Sequence, residues 1–402
     1  MKSRRFNPAS RKTSLEKIIA LTLCALALVL NFYFLPTATA AGFSKCSPMN
    51  IARFGHTATL LPNGKVLVAG GSDDNNNGLA SAELFDPTTG KWTETGIMGE
   101  ARCYHTATLL PNGKVLVAGG IKFLGRFLDR ALSSTELYDP ATGKWTDGGA
   151  LSTERMNHTA TLLPDGKVLV AGGSIYDGNI CTLTTAELYD AATDKWTETG
   201  EMNTARAGHP AVLLTNGKVL VAGGKNSIAT TDSLIGAELY DPATRKWTDA
   251  DAMLFTGRCD HTATVLKNGS VLVTGGWYGA GKNSLLSETY DHATGKWEKT
   301  GNMSFQRASH TATLLPDGTV LVAGGGAANR SNNNQPITEV FNPATGKWSN
   351  CGAMSVGRLN HTATLLPNGK VLIAGGFYGR AFYSSAELFN PATVSNTATN
   401  SN

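Results

Sequence analysis

The sequence predicts an all-β protein in the form of a seven-bladed β-propeller, a closed ring of four-stranded antiparallel sheets. One pattern occurs seven times: His-Thr-Ala-Thr-Leu-Leu, a Pro-Asn-Gly-Lys turn, Val-Leu-Val-Ala-Gly-Gly, a variable stretch, and then Ala-Glu-Leu-Tyr-Asp, which a tryptophan follows in six of the seven repeats. Successive pattern histidines lie 49 to 53 residues apart. A period near fifty residues is typical of propeller blades, and seven is a usual number of blades. These histidines are His56, His105, His158, His209, His261, His310 and His361.

Each repeat contains four predicted strands. The first two flank a Pro-Asn-Gly-Lys or Pro-Asp-Gly-Lys turn, which is the pattern of a β-hairpin. Ala-Glu-Leu-Tyr-Asp is the third strand, and an Asp-Pro-Ala-Thr-Gly turn leads to the fourth. The fourth strand carries the tryptophan in six repeats: Trp92, Trp145, Trp196, Trp247, Trp297 and Trp348.

The seventh repeat lacks an outer strand, and the N-terminal segment has the pattern to replace it. In complete repeats a Met or Leu follows the tryptophan after six residues, and Phe43 and Met49 have the same spacing. We therefore expect residues 42–47 to be the fourth strand of the last blade, with Phe43 at the tryptophan position. Such an overlap pairs an edge that would otherwise be open.

Residues 1–40 have the pattern of a signal peptide, which leaves the propeller at residues 41–393 and a disordered polar tail at residues 394–402. Six basic residues precede an apolar run over residues 18–35, and an Ala-Thr-Ala cleavage motif ends at Ala40. We expect an extracytoplasmic protein, secreted, periplasmic or on the cell surface. The length of the apolar run leaves an uncleaved membrane anchor as the alternative.

The net charge excludes two classes of partner, and the cysteine count predicts the state of at least one thiol. Residues 1–40 hold six of the 35 Lys and Arg and one of the 31 Asp and Glu, so the remainder is balanced within one charge. Such a balance gives no electrostatic footprint for nucleic acid or an anionic membrane, and we expect neither as a partner. The odd number of cysteines after residue 40 predicts at least one thiol that is free or bonded to another chain. They are Cys46, Cys103, Cys181, Cys259 and Cys351.

Polar residues that recur in every repeat are predicted to be framework, because a binding site breaks the rotational symmetry. Each repeat has one arginine and one glutamate in register, which predicts one buried ion pair per blade or blade junction. The histidines are predicted to be structural and to hydrogen-bond within their own blade, since seven identical ligands fit no ordinary metal geometry. The arginines are Arg53, Arg102, Arg155, Arg206, Arg258, Arg307 and Arg358. The glutamates are Glu83, Glu136, Glu187, Glu238, Glu288, Glu339 and Glu387.

One face of the ring is predicted to carry selectivity. Connections from second to third strands, and from one blade to the next, open on this loop face; the two hairpin turns of each repeat form the opposite turn face. The loop face holds nearly all the sequence variation, and aromatic rings beside arginine suit protein or sugar recognition. Packing of these aromatic residues onto neighbouring blades is the alternative. The binding-face candidates are Trp277, Tyr278, Phe377, Tyr378, Arg380, Tyr383, Phe123, Arg126 and Tyr176.

The motif R-x-x-H-T-A-T-L-L-P-N-G-K-V-L-V-A-G-G recurs seven times in register, and in this the sequence resembles the kelch repeat superfamily. Within it, the sequence is similar to bacterial secreted kelch proteins and to the propeller of galactose oxidase-like enzymes. That resemblance implies a copper site built from cysteine, tyrosine and histidine. Only Tyr104 and His105 match a tyrosine-histidine pair, and the cysteine position of the preceding blade holds Phe54, so the copper site is incomplete.

These observations favour a monomeric, non-enzymatic recognition scaffold without a cofactor, which binds a protein or glycan across its loop face. A galactose oxidase-like or other carbohydrate-active enzyme with a degenerate site is the alternative.

Overall fold

Seven four-stranded antiparallel sheets surround a common axis, as the repeats predict. The computed structural model describes residues 41–123, 130–176, 180–226, 233–279, 282–326 and 336–391. The innermost strands of neighbouring sheets contact one another all the way round, and the innermost strand of the first sheet contacts that of the seventh. The predicted signal peptide and polar tail lie outside the described residues. Within those residues, no helical segment has the length and hydrophobicity needed to cross a lipid bilayer.

The strands are as follows in chain order, with blades numbered from the N-terminus. The N-terminal strand is β1 (Gly42–Lys45). Blade 1 contains β2 (Thr57–Leu60), β3 (Val66–Ala69), β4 (Ala82–Asp86) and β5 (Lys91–Glu94). Blade 2 contains β6 (Thr106–Leu109), β7 (Val115–Ala118), the hairpin β8 (Ile121–Lys122) and β9 (Arg130–Ala131), β10 (Ser134–Asp139) and β11 (Lys144–Ala150). Blade 3 contains β12 (Thr159–Leu162), β13 (Lys167–Ala171), the hairpin β14 (Ser174–Tyr176) and β15 (Ile180–Thr182), β16 (Ala186–Asp190) and β17 (Lys195–Glu198).

The second half of the ring continues the same order. Blade 4 contains β18 (Ala211–Leu213), β19 (Val219–Ala222), β20 (Ala237–Asp241) and β21 (Lys246–Ala250). Blade 5 contains β22 (Thr262–Val265), β23 (Val271–Thr274), the hairpin β24 (Trp277–Tyr278) and β25 (Lys282–Asn283), β26 (Ser287–Asp291) and β27 (Lys296–Lys299). Blade 6 contains β28 (Thr311–Leu314), β29 (Val320–Ala323), β30 (Ile337–Asn342) and β31 (Lys347–Ala353). Blade 7 contains β32 (Thr362–Leu365), β33 (Val371–Ala374), the hairpin β34 (Phe377–Tyr378) and β35 (Ala381–Phe382), and β36 (Ala386–Asn390).

The N-terminal strand completes the last blade, which confirms the predicted closure. Strand β1 pairs antiparallel with β36, and Phe43 lies opposite Phe389. In blade 1 the same register places Trp92 opposite Phe85. The Phe43 and Phe389 rings are 5.2 Å apart, against 5.0 Å for Phe85 and Trp92. Phe43 therefore occupies the place that tryptophan fills in the other six blades.

The hydrophobic core lies between the blades. In each blade the second strand is buried along nearly its whole length, because its side chains alternate between the two neighbouring blades. In β3, Val66 and Val68 pack towards blade 7, whereas Leu67 and Ala69 pack towards blade 2. No strand can bury both of its faces unless the blades on either side are in place.

All seven predicted arginine-glutamate pairs form, and each is almost completely buried. The guanidinium-carboxylate distances are 2.6 to 3.0 Å. In blade 3 Arg155 also donates to the Gly172 carbonyl, and Glu187 accepts the backbone N–H of Ser152. The carbonyl of Arg155 itself accepts the N–H of Gly120 in blade 2. Each pair therefore joins a blade connection to the third strand of its own blade and to the preceding blade.

Removal of one member of such a pair should cost far more stability than removal of an exposed partner. Arg155→Met leaves the Glu187 carboxylate buried and unpaired, and we expect the free energy of unfolding to fall by about 3–5 kcal/mol. The control is Lys296→Met, because Lys296 forms an ion pair with Asp251 in which both side chains are exposed. That control should leave the stability nearly unchanged. Urea denaturation measures both variants, and similar losses in the two would contradict the structural role of the buried pair.

Candidate functional site

Seven residues with left-handed backbone surround the axis on the loop face. Each directly precedes a pattern histidine, and we call them the mouth residues. Their φ angles lie between 48° and 62°. Five are not glycine, although this region is unfavourable for other residues unless the surrounding structure imposes it. The mouth residues are Gly55, Tyr104, Asn157, Gly208, Asp260, Ser309 and Asn360.

A closed circle of backbone hydrogen bonds imposes that conformation. The N–H of each mouth residue donates to the carbonyl of the mouth residue in the preceding blade, over 2.9 to 3.3 Å. The circle closes where the Gly55 N–H donates to the Asn360 carbonyl. Above Gly55, the Tyr104 hydroxyl of blade 2 lies 3.3 Å from the Asn360 amide nitrogen of blade 7. A Cβ on Gly55 would lie 2.5 Å from the Cys103 sulfur, so that blade requires glycine.

The pattern histidines hydrogen-bond across blades, so the prediction that they bond within their own blade is wrong. His105 Nε2 lies 3.0 Å from the Thr57 hydroxyl of blade 1, and His158 Nε2 lies 2.9 Å from the Thr106 hydroxyl of blade 2. The threonine that follows each histidine faces the next blade, which brings it to the next histidine. His261 is the exception, because Pro210 stands at the threonine position of blade 4, and neither ring nitrogen of His261 has a partner among the described residues.

Tyr104 and His105 do not fit a copper site. The His105 ring is buried and its Nε2 faces Thr57, whereas the Tyr104 hydroxyl faces Asn360. Cys103 is fully buried, and its sulfur lies 3.6 Å from the Phe54 carbonyl. In the part of the chain that the structure describes, no three His, Cys, Asp or Glu side chains lie together in a way that could hold a metal ion. The expectation that the protein uses no cofactor stays a prediction.

The structure divides the predicted binding-face residues into two groups and a remainder. Phe377 packs against Phe54 and Phe382, with ring centroids 5.1 and 5.9 Å away. Tyr383 covers the buried Arg358, whose guanidinium carbon lies 5.4 Å from the ring, so this ring belongs to the framework. Arg380 is exposed on the β34–β35 turn and Tyr378 is half-buried beside it. Arg126 lies outside the described residues.

The first group forms a half-exposed aromatic surface over blades 2, 3 and 7. Phe54, Cys103, Ile121 and Met156 are buried beneath it in one cluster. Sequence patterns singled out three members of the surface, and Tyr104 and Phe382 join them only in the folded ring. We call this surface the aromatic arc: Tyr104, Phe123, Tyr176, Phe377 and Phe382.

The second group lies over blades 4 and 5. Trp277 is half-buried, and the Lys225 ammonium of blade 4 lies 4.1 Å from the centre of its ring. Tyr278 is the neighbouring residue of the same hairpin and is also half-buried. Lys225 was missed by the sequence analysis, although it follows the double glycine of blade 4 as Trp277 does in blade 5. Trp277 is thus separate from the aromatic arc.

All five cysteines after residue 40 are free thiols in the structure. Burial raises the pKa of the Cys46 thiol to about 11 and that of the Cys259 thiol to about 12. A thiol held in its neutral form is a poor nucleophile. Cys181 is the exposed one.

Comparison with known proteins adds family evidence to this geometry. The profile of the KLHDC2/KLHL20/DRC7 Kelch-repeats domain matches residues 55–276. Kelch-like protein 36 of Bos taurus is 27% identical over 263 residues, which are 62% of this chain and 40% of that protein. Kelch-like protein 23 of Homo sapiens is 29% identical over 271 residues, 67% of this chain and 46% of that protein. The matched part of the chain spans less than half the length of these curated relatives.

Two solved structures share the fold. A fungal alcohol oxidase of the AA5 family, solved in complex with copper, superposes with a TM-score of 0.72 at 18% identity, over 88% of this chain and 77% of the oxidase. The structure of YjhT superposes with a TM-score of 0.59 at 16% identity, over 76% of this chain and 99% of YjhT. At these identities the likeness extends to the fold alone.

Acid should destabilise the ring through its histidines. Burial, with the neighbouring arginine charge, lowers the pKa of His56, His158 and His361 to about 3. An unfolded histidine titrates near 6.5, so below that pH the unfolded chain binds more protons, and stability is lost as pH falls from about 6.5 towards 3. Each such histidine lowers the free energy of unfolding by up to about 1.4 kcal/mol for each unit by which the pH falls.

Urea denaturation at pH 7.5, 6.5 and 5.5 measures this loss before most carboxylates titrate. His158→Gln should reduce the average slope of unfolding free energy against pH by the equivalent of about half a proton over this range. A free energy of unfolding that stays constant from pH 7.5 to 5.5 would show that these histidines are not buried in the neutral form.

Proposed function

The chain belongs to the Kelch-repeat family, and from that premise we propose that it is an exported recognition scaffold that binds a protein partner through its loop face. Kelch propellers are typical protein-binding scaffolds, and the loop face is where this chain departs from its own sevenfold pattern. The turn face repeats nearly the same residues in every blade. A partner that binds one orientation of the ring needs the irregular face.

The aromatic arc is the observation that carries the proposal. Its five rings are half-exposed and rest on a buried layer that fixes their positions. Aromatic residues held by packing bury large apolar area at little entropic cost, and they are enriched among the residues that dominate protein–protein binding energy. Because four blades contribute to the arc and its support, the surface is broad and suits a protein better than one small molecule.

The positions of Tyr104 and His105 favour the scaffold over an oxidase. Both side chains contribute to contacts between blades, and their polar atoms face different neighbours. The copper chemistry of the AA5 relative therefore has no matching set among the described residues of this chain.

Truncation of the arc should weaken a purified partner's binding without unfolding the propeller. We expect the double variant Phe123→Ala/Tyr176→Ala to raise the Kd at least about 30-fold, since loss of a central aromatic contact costs about 2 kcal/mol or more. Titration calorimetry measures the Kd for a partner first identified by cross-linking in an extracytoplasmic extract. The matched control Asn112→Ala/Asn368→Ala changes exposed turn-face residues and should leave the Kd unchanged.

Three results would count against this proposal. The first is an unchanged Kd in the arc variant when its melting temperature matches that of the wild type. The second is an equal loss of affinity in the turn-face control. The third is binding to glycans on an array when no protein partner is found. The last result would assign the loop face to carbohydrate instead.

Export is the second part of the proposal and has its own test. The basic stretch, the apolar run and the cleavage motif support it, and strand β1 starts at Gly42, two residues after the motif ends. We expect N-terminal sequencing of the extracytoplasmic protein to begin at Ala41. Recovery from the cytoplasm with residues 1–40 attached would refute export.

A further inference from the structure

A small cavity opens on the loop face over blades 4 to 6, and Leu359 at its edge is bridged to Phe377 of the aromatic arc. Its volume is about 250 Å³, and its polar wall comes from three blades: Lys225, Asp260, Asn283 and Ser309, with Trp277 and Leu359 as apolar wall. A space of this size suits one small organic molecule.

Lys225 and Asp260 line the cavity as opposite charges, and among the described residues they form no direct ion pair. Among the described residues, neither the Lys225 ammonium nor the Asp260 carboxylate has an oppositely charged atom within 4.0 Å. Lys225 instead lies over the Trp277 ring. Asp260 is largely surrounded by protein, which raises the pKa of its carboxyl, while the nearby charge of Lys225 opposes the rise. Its side chain nevertheless remains open to solvent through the cavity.

A buried acceptor in the same wall lacks a donor. Asn283 is 2% exposed; its amide nitrogen donates to the Gly326 carbonyl, and its Oδ1 has no partner among the described residues. A buried oxygen without a donor costs free energy, but this oxygen is closed to solvent, so a ligand N–H gains the contact only when the side chain turns towards the cavity. The Ser309 hydroxyl adds a group that can donate or accept.

The positions of these groups are fixed by the ring itself. Asp260 and Ser309 are mouth residues held in the hydrogen-bonded circle, and Ser309 donates its N–H to the Asp260 carbonyl over 2.9 Å. Lys225 is bridged to Ala207, and Trp277 is bridged to Cys259. A pre-formed site loses little entropy when a ligand binds.

We propose that this cavity binds a free α-amino acid with a small apolar side chain, with its ammonium on Asp260 and its carboxylate on Lys225 and Ser309. The positive charge of Lys225 would repel a ligand that has only an ammonium group. The negative charge of Asp260 would repel a ligand that has only a carboxylate. A neutral sugar would leave both protein charges unpaired when it displaced their water, which is costly. A zwitterion satisfies both charges, and Trp277 and Leu359 then contact its side chain.

Calorimetry with four matched probes tests the proposal on the folded propeller. The probes are L-leucine, 3-methylbutylamine, which lacks the carboxylate, 4-methylpentanoate, which lacks the ammonium, and galactose. We expect saturable binding of leucine, and at least about tenfold weaker binding of each other probe, because each lost charge-assisted contact costs about tenfold or more.

Other blades supply variants that the fold already accepts. Asp260→Asn copies the residue at the mouth positions of blades 3 and 7, Lys225→Ser copies Ser174, and Asn283→Thr copies Thr182. We expect the first two to weaken leucine binding at least about tenfold, and the third to weaken it less. The matched control Asn157→Ser changes a mouth residue outside the cavity and should bind leucine as the wild type does.

The proposal is overturned if leucine gives no binding up to its solubility, if galactose or either half-probe binds as tightly, or if Asp260→Asn and Lys225→Ser retain full affinity with unchanged melting temperatures. None of these measurements needs the protein partner. Failure of the arc experiment and failure of this one are therefore distinguishable.

Discussion

The rest of the structure depends on one buried arginine in each blade junction. Its guanidinium joins a glutamate and two carbonyl groups of its own blade, and its carbonyl accepts an N–H from the preceding blade. A charge without water must be fully paired, so these partners cannot separate independently. The same charge helps to keep the adjacent histidine neutral. A neutral imidazole can then bond the threonine of the neighbouring blade, which extends the junction towards the axis.

The framework has sevenfold symmetry, so the positions that depart from it are the candidates for recognition. The circle of mouth residues requires the same backbone conformation in every blade but leaves the side chain free to differ. Around it, blades 2, 3 and 7 present aromatic rings, whereas blades 4 to 6 present Lys225, Asp260, Asn283 and Ser309. Rigid backbone and variable side chains together provide two chemically distinct surfaces on one face. Pro210 is a different kind of exception, because it removes a framework contact and supplies no surface group.

Local sequence patterns and residue counts predicted the blades, the closure of the ring and the buried ion pairs. The repeat period near fifty residues, the turn residues and the recurring tryptophan predicted the blades, and the spacing of Phe43 and Met49 predicted how the ring closes. Equal numbers of arginine and glutamate in register predicted the ion pairs, since neither residue is buried unpaired. The partner of each histidine was predicted wrongly, because sequence order does not say that the threonine after one histidine faces the next blade. The four loop-face hairpins were also missed, since their strands of two or three residues carry no periodic signal.

The sequence by itself determined the architecture, because its signals are local and repeated seven times, so that each blade repeats the evidence of the others. Only the tertiary structure decided the candidate sites. Lys225, Asp260 and Asn283 come from separate connections, and they share a cavity because the ring curves three blades around one axis. Tyr104 and Phe382 join Phe377 for the same reason. Which side chains of different blades approach one another depends on the curvature of the ring and on how far each loop side chain reaches, and no short stretch of sequence records either.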